Sequence, residues 1–371
     1  IMSNFSFTSK DELSIFLKDK SFQKIFVICG NKSYKLSGAK NILDSLLVEK
    51  KTKYFFKKSA YTDLVELEEI IVELKKFSPN LIIGIGGGSV IDYAKIANVL
   101  INSVNLRNEI SNSTYKINKK FTKLIAIPTT AGSGAEVTSN SVVYFNKIKY
   151  SVENDELKPD YFFLIPELVI GASNKIKSSA GFDAIAQAIE SLMSKKSSEK
   201  SLVFAKKSLN ISLEYYLDYL NKPNKENTTA MCIAANLSGE AINISKTIAP
   251  HAVSYPFTSI YNISHGHAVS LTLDKFLNFN YKNLENSNSA FNLKNRYKII
   301  FEATKTNNIE SFDRYLKHLK KNANLECDFT KLGINIKENY SKIISGVNLL
   351  KLSNNPVKLE NEDLKEIIVN Y

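Results

Sequence analysis

Leu81-Ile82-Ile83-Gly84-Ile85-Gly86-Gly87-Gly88-Ser89-Val90-Ile91-Asp92-Tyr93-Ala94-Lys95 is an apolar run, then consecutive glycines, then a helical pattern. Pro79-Asn80 ahead of it marks a turn, so the run reads as a buried strand whose exit loop opens a helix. Bare glycines let a backbone approach a ligand closely. The unpaired N–H groups and positive dipole end of the helix then favour an anion such as a pyrophosphate. Gly86, Gly87, Gly88, Ser89 and Asp92 are therefore candidate cofactor residues. The glycine spacing of dinucleotide sites is only loosely met, by Gly84, Gly86 and Ser89. A tight turn with Ser89 as N-cap would account for the same residues.

The flanking sequence repeats the alternation. Phe22 to Ile28 predicts a first strand, and Cys29-Gly30-Asn31-Lys32-Ser33-Tyr34 its loop. A helix is expected from Ala39 to Glu49, a strand at Tyr54-Phe55-Phe56, and a helix from Leu64 to Phe77, where Leu64, Leu67, Ile70, Ile71 and Leu74 recur at helical intervals. Strands follow at Leu124 to Ile127, Ser141 to Phe145 and Tyr161 to Ile165. Strand and helix in alternation signal a parallel α/β sheet. A second small-residue loop, Pro128-Thr129-Thr130-Ala131-Gly132-Ser133-Gly134-Ala135-Glu136-Val137-Thr138, leaves the next strand. Two such loops after successive parallel strands converge on the carboxyl edge of one sheet, where ligands bind in these folds.

From about Lys177 the pattern becomes helical: Gly181 to Ser194, Ser198 to Leu220, Thr228 to Ser245 and Ala268 to Phe279. Lys282 to Asn295, rich in Asn, Ser and Lys, is expected to be an exposed loop. The fold class is thus an α/β N-terminal domain, residues 1–175, followed by an all-helical C-terminal domain, residues 176–371.

At 371 residues the chain is long enough for two such cores, and its 44% hydrophobic and 23% charged content is ordinary for a soluble protein. The net charge of +12 is spread over scattered lysines, without the clustered, aromatic-interleaved block that grips nucleic acid. An anionic small substrate is compatible with that charge. Three widely spaced cysteines argue against a disulfide framework and point to a reducing cytoplasm. No apolar run reaches membrane-spanning length, no signal peptide is visible, and Met2 is the expected natural start.

Three of the four histidines fall between Lys246 and His267. Neutral imidazole is the commonest metal ligand and a common proton shuttle. His251 and His265 are too far apart to share one helix face. Pro256 and Tyr261-Asn262-Ile263-Ser264 permit a break, so two neighbouring helices can aim them at one ion. Asp183 and Gln187, four apart on one helix face among apolar residues, complete a candidate set of two oxygens and two nitrogens. A helix-dipole Asp, an incidental Gln and satisfied core histidines are the alternative.

Together these landmarks resemble the iron-containing (group III) alcohol dehydrogenase family. They are Gly86-Gly87-Gly88-Ser89 with Asp92 and Lys95, Pro128 to Thr138, Leu157-Lys158-Pro159 to Pro166-Glu167-Leu168, Gly181 to Glu190, the histidine stretch and Asn354-Asn355-Pro356. The resemblance runs from about residue 20 to the end. It implies a dehydroquinate synthase-like fold with a dinucleotide-binding N-terminal domain, a helical C-terminal domain and a metal between them. The implied cofactors are NADPH or NADH and a divalent metal, Fe2+ or Zn2+. The family's metal aspartate falls on Asp183 and two of its histidines on His251 and His265. A third metal histidine falls on Gln187, and a further cleft histidine, discussed as a proton relay, falls on Tyr255. A neutral amide oxygen in place of imidazole changes metal preference and affinity.

The 183–191 and 241–256 segments look like the phosphonoacetaldehyde reductase branch of that family. The resemblance therefore implies a metal-dependent NAD(P)H aldehyde reductase turning phosphonoacetaldehyde into 2-hydroxyethylphosphonate. A small anionic aldehyde is its substrate, water, Tyr255 or His267 supplies a proton, and Lys246 holds the phosphonate. The expected assembly is a homo-oligomer, a dimer, in the cytoplasm without nucleic acid or membrane partners. Other readings are a general short-chain alcohol dehydrogenase, a dehydroquinate synthase-type sugar-phosphate cyclase with no net NAD turnover, and a non-catalytic nucleotide- or sugar-phosphate-binding protein. Many family members carry an acid after the first strand to bind the ribose 2′-hydroxyl. That position here is Gly30, followed by Asn31 and Lys32, which predicts use of NADPH at least as readily as NADH.

Overall fold

The computed structural model describes residues 9–370, so the expected start at Met2 lies outside it. The chain opens with α1 (Lys10–Leu17), β1 (Lys24–Gly30), the single turn α2 (Ser33–Leu36) and α3 (Ala39–Leu46). There follow β2 (Lys51–Lys57), α4 (Leu64–Phe77), β3 (Leu81–Gly86), α5 (Gly88–Val99), α6 (Leu106–Ser111) and β4 (Lys123–Pro128). β5 (Asn140–Phe145), β6 (Ile148–Glu153) and the two-residue β7 (Tyr161–Phe162) complete the strands.

Five strands form one parallel sheet in the order β2-β1-β3-β4-β7. Both of its faces are buried, and the period-two alternation of each strand sorts its residues between them. Ile25, Val27, Leu81, Ile83, Ile85, Ile125 and Ile127 pack with Leu13, Ala39 and Leu43 of α1 and α3. Phe26, Ile28, Ile82 and Leu124 pack on the opposite face with Leu67, Ile70 and Leu74 of α4 and Tyr93 and Ala97 of α5. α5 closes onto the sheet at Gly84, where an added Cβ would sit 3.0 Å from the Ala94 Cβ.

The strand expected at Ser141 to Phe145 forms, but outside the parallel sheet. It pairs antiparallel with β6, a strand the sequence reading did not anticipate. Asn146 and Lys147 between them both have positive φ (51° and 64°), the backbone of a tight two-residue hairpin turn. β7 stops at Phe162 rather than Ile165, because Pro166 starts a 3-10 turn.

The helical part comprises α7 (Asn174–Met193), α8 (Glu199–Asn221), α9 (Lys225–Ser245), α10 (Ala249–Tyr261), α11 (His265–Ser270) and α12 (Leu273–Lys282). α13 (Leu293–Thr304), α14 (Ile309–Asn322), α15 (Ile336–Ile344), α16 (Leu349–Leu352) and α17 (Asn361–Lys365) follow. One compact unit reaches to Ser173 and takes in Asn224–Cys232; the other holds Asn174–Pro223 and the chain from Ile233 onward. α7 starts seven residues before the expected Gly181, and every residue from Gly181 to Met193 is buried. The helix expected from Ala268 to Phe279 is broken at Leu271-Thr272 into α11 and α12. The expected loop from Lys282 to Asn295 contains a 3-10 turn, Leu284–Asn286, and the first residues of α13. Among the described residues no helix is long and apolar enough to cross a membrane.

Candidate functional site

In the helical unit, Asp183, His251 and His265 bring one ligand atom each to within 4.8 Å of one another, the one such cluster of His, Cys, Asp or Glu among the described residues. His251 Nε2 lies 3.1 Å and His265 Nε2 3.8 Å from Asp183 Oδ1, and the two imidazole rings meet edge-on at 5.1 Å. Asp183 and His251 are almost wholly buried (4% and 2% exposed), whereas His265 is only partly covered. A buried carboxylate and two imidazoles are a donor set able to hold a divalent metal.

Local structure explains the convergence. α10 ends at Asn262, which adopts the left-handed conformation (φ 56°), and α11 restarts at His265 after Ser264. Two helices joined by a short turn thus present the histidines, as the spacing suggested. The break lies at Asn262, however, and Pro256 remains inside α10. Gly266 makes the approach to α7 possible: a Cβ there would fall 1.9 Å from the Ser179 carbonyl oxygen and 2.9 Å from the Asp183 Cβ.

Glu190, fully buried, governs His251. Its Oε1 accepts from the backbone N–H groups of Ile248 (3.2 Å) and His251 (3.1 Å), capping α10, while Oε2 bonds His251 Nδ1. A carboxylate on Nδ1 fixes the imidazole so that Nε2 faces Asp183, the usual outer-shell support of a metal histidine. Burial opposes charge on His251, but Glu190 and then Asp183 outweigh it and raise its pKa. A metal cation bound by His251 would compete with that proton. Glu190 follows Asp183 by seven residues and Gln187 by three, so its place on their helix face was legible in the sequence. Its role was not assigned there.

Gln187, the expected fourth ligand, sits beside Asp183. Its Nε2 donates to Asp183 Oδ2 (3.5 Å) and its Oε1 accepts from Ser238 Oγ (2.8 Å), so the amide oxygen is engaged away from Asp183. Tyr255, one turn after His251 on α10, is buried with its ring centroid 6.4 Å from that of His265. His267 is turned elsewhere, its Nε2 bonded to the Glu326 carbonyl (2.6 Å) and its pKa lowered chiefly by burial. Lys246 ends α9 in the left-handed conformation (φ 60°) and is partly buried.

In the sheet unit the two glycine-rich loops adjoin, as Gly86 pairs with Pro128 and Thr129 N donates to Gly86 O at 2.9 Å. Gly87 and Gly88 face Thr130 and Ser133: a Cβ on Gly88 would lie 2.8 Å from Ser133 Oγ. Gly86, Gly87, Gly88, Ser89, Thr129, Thr130 and Ser133 are thereby gathered at the carboxyl ends of β3 and β4. Asp92 is turned instead to β5, accepting from Val142 N at 3.4 Å, with burial raising its pKa. Lys95, wholly buried, holds the second loop through Ala135 O (3.0 Å), Thr138 Oγ1 (2.9 Å) and Asn140 O (2.6 Å); burial lowers its pKa to about 8. At the end of β1, Gly30 pairs in register with Lys57 of β2, and Lys57 Nζ donates to Ser89 Oγ (2.6 Å). No carboxylate occupies Gly30-Asn31-Lys32-Ser33. The chain changes direction between β2 and β3 on either side of β1, a switch point of the kind where dinucleotides bind.

Residues 5–166 match the family model described as iron-containing alcohol dehydrogenase, and residues 177–371 the C-terminal model of the Fe-containing alcohol dehydrogenase family. The chain is 30% identical to the 4-hydroxybutyrate dehydrogenase of Clostridium kluyveri over 69% of its own length and 68% of that protein. It is 29% identical to the phosphonoacetaldehyde reductase of Streptomyces viridochromogenes over 56% of its length and 55% of that protein. The aligned part thus spans 68% and 55% of these two curated relatives. Among solved structures, sulfoacetaldehyde reductase from Bifidobacterium kashiwanohense in complex with NAD+ superposes with a TM-score of 0.84 at 23% identity, covering 99% of this chain and 98% of that one. The iron-containing alcohol dehydrogenase of Thermococcus thioreducens does so with 0.85 at 23% identity, over 98% and 95%. These two likenesses concern the fold.

Proposed function

The chain belongs to the iron-containing alcohol dehydrogenase family, and we propose that it is a metal-dependent NAD(P)H reductase of a short aldehyde carrying an anionic group, with phosphonoacetaldehyde the first candidate. The observation that carries this reading is the convergence of Asp183, His251 and His265, with Glu190 behind His251. When bound, a divalent metal such as Fe2+ or Zn2+ supplies Lewis-acid polarisation of the carbonyl, and the reduced nicotinamide supplies hydride. Asp183, His251 and His265 hold the cation; Gln187 orients Asp183, and Glu190 keeps His251 in its ligating tautomer. Tyr255, whose ring lies beside His265, delivers a proton to the product oxygen. The residues fit the metal by donor type: two imidazoles and a carboxylate suit iron and zinc alike.

Three names support an anionic aldehyde. The phosphonoacetaldehyde, sulfoacetaldehyde and 4-hydroxybutyrate enzymes each handle a short chain ending in a charged group. The partly buried Lys246, just before the helix that carries His251, adds local positive charge. For the cofactor we propose NADPH. Gly30 removes the carboxylate that would repel a 2′-phosphate, and Lys57, its partner across the strand pair, supplies a cation beside Ser89.

The test is a panel of phosphonoacetaldehyde, sulfoacetaldehyde, succinic semialdehyde and propanal, with NADPH or NADH oxidation followed in metal-loaded protein. A kcat/KM for one of the charged aldehydes at least tenfold above that for propanal is expected. Propanal as the best substrate would return the protein to the general alcohol dehydrogenases. Absence of net cofactor oxidation with every aldehyde would favour a cyclase-type reaction.

A further inference from the structure

Pro256 sits inside α10 and has no N–H to give the carbonyl of Ala252 one turn earlier. That carbonyl instead accepts from Asn348 N at 3.2 Å. Gly346, two residues before Asn348, lies against the proline ring, for a Cβ there would be 3.1 Å from Pro256 Cβ. Asn348 is also the N-cap of α16, its Oδ1 accepting from Lys351 N at 2.9 Å. One residue therefore ties α16 to the gap that proline opens in α10. A further bond, from Asn354 Nδ2 to Thr247 O (3.2 Å), fixes the far end of the same segment just before α10.

The consequence is the position of Lys351. Its Nζ lies 5.1 Å from the centroid of the Tyr255 ring, and Tyr255 neighbours His265 at 6.4 Å between rings. Lys351 is partly buried rather than extended into solvent. An ammonium is thus held at one side of an aromatic ring whose neighbour is a member of the Asp183–His251–His265 cluster.

We propose that Lys351 is the specificity-determining cation of this enzyme, binding the anionic end of the aldehyde whose carbonyl is directed to Asp183, His251 and His265. This rests on the reductase reading above. The cation–π contact with Tyr255 holds the ammonium beside the ring, and ammonium N–H groups form charge-assisted hydrogen bonds to phosphonate, sulfonate or carboxylate oxygens. Asn348 is a positioning residue, acting through α16. Lys246, the lysine singled out by the sequence, lies next to Thr247 and so flanks the same joint, where it adds charge.

The experiment compares wild type with Lys351→Met, which keeps an apolar stem on the Tyr255 ring, Lys351→Arg, which keeps the charge, and Lys246→Ala. For each, KM and kcat are measured with the best charged aldehyde and with propanal, alongside metal content and thermal midpoint. Lys351→Met should raise KM for the charged aldehyde ten- to a hundredfold, with the loss expressed in KM rather than kcat. The charged-to-neutral ratio of kcat/KM should collapse accordingly, while metal content is retained and Lys351→Arg recovers most of the ratio. A dianion such as ethylphosphonate should bind Lys351→Met tenfold or more weakly, read as quenching of intrinsic fluorescence or by calorimetry without turnover. If Lys351→Met preserves the ratio and ethylphosphonate affinity, or Lys246→Ala alone abolishes them, the assignment is overturned while the reductase reading stands. If wild type shows no preference for charged aldehydes, the anionic-substrate reading fails first and takes this one with it.

Discussion

Glu190 uses one carboxylate oxygen to cap α10 and the other to hold the imidazole that α10 carries. Removing its charge while keeping its shape isolates the second task. Glu190→Gln is expected to weaken metal binding about ten- to a hundredfold, measured by competition with a chelator of known affinity; an unchanged affinity would mean that His251 is oriented by packing alone. Gln187→His offers an imidazole where the amide now bridges Asp183 and Ser238, and should tighten the same affinity. A weaker site would show that the Asp183–Gln187–Ser238 arrangement matters more than an added ligand. The convergence of Asp183, His251 and His265 was legible from residue type and scarcity. The places of Gln187 and His267 were not, because their partners, Ser238 and Glu326, lie 51 and 59 residues away in sequence.

At the scale of elements, close approach decides more than propensity. α11 reaches Asp183 only because Gly266 presents no side chain to α7. Gly266→Ala should cost about 1–3 kcal/mol in stability as an overpacked contact and lower metal occupancy, read by chemical denaturation and elemental analysis. Full occupancy at wild-type stability would contradict the tight crossing. Gly30 poses a similar constraint, since a Cβ there would lie 2.1 Å from Ser33 Oγ. The variant that tests cofactor choice is therefore Gly30→Asp combined with Ser33→Ala, which clears the space. It should shift the ratio of dissociation constants for NADPH and NADH at least tenfold toward NADH, measured by nicotinamide fluorescence; no shift would place 2′-recognition elsewhere. The strands and long helices were legible because their apolar periods are regular. The uninterrupted passage of α10 through Pro256 was not, because the bond that compensates it comes from Asn348, far along the chain. The β5–β6 hairpin was also missed, because its turn residues, Asn146 and Lys147, carry no glycine signal.

At the scale of the whole molecule, the sequence separates a sheet unit that gathers two glycine-rich loops from a helical unit that gathers three metal-type ligands. The change from strand-and-helix alternation to helices alone made that division visible. The return of Asn224–Cys232 to the first unit was not visible, since it depends on packing that splits the single helix α9 between the two. The net charge of +12 suits an anionic substrate but does not locate its site, because the lysines are scattered. The fold seats Lys351 over Tyr255, the place proposed above for that anion.

We propose that aldehyde reduction depends on a metal held by Asp183, His251 and His265. The direct measurement is a titration of chelated, metal-free protein with Fe2+ or Zn2+, following bound metal by elemental analysis and aldehyde reduction by NADPH absorbance, in wild type, Asp183→Ala and His265→Ala. Wild type is expected to bind about one equivalent per chain, as a single ligand cluster requires, with activity rising in proportion. Both variants should remain folded by circular dichroism yet bind weakly and stay inactive. Full activity in the metal-free wild type, or undiminished metal binding and activity in either variant, would contradict the account.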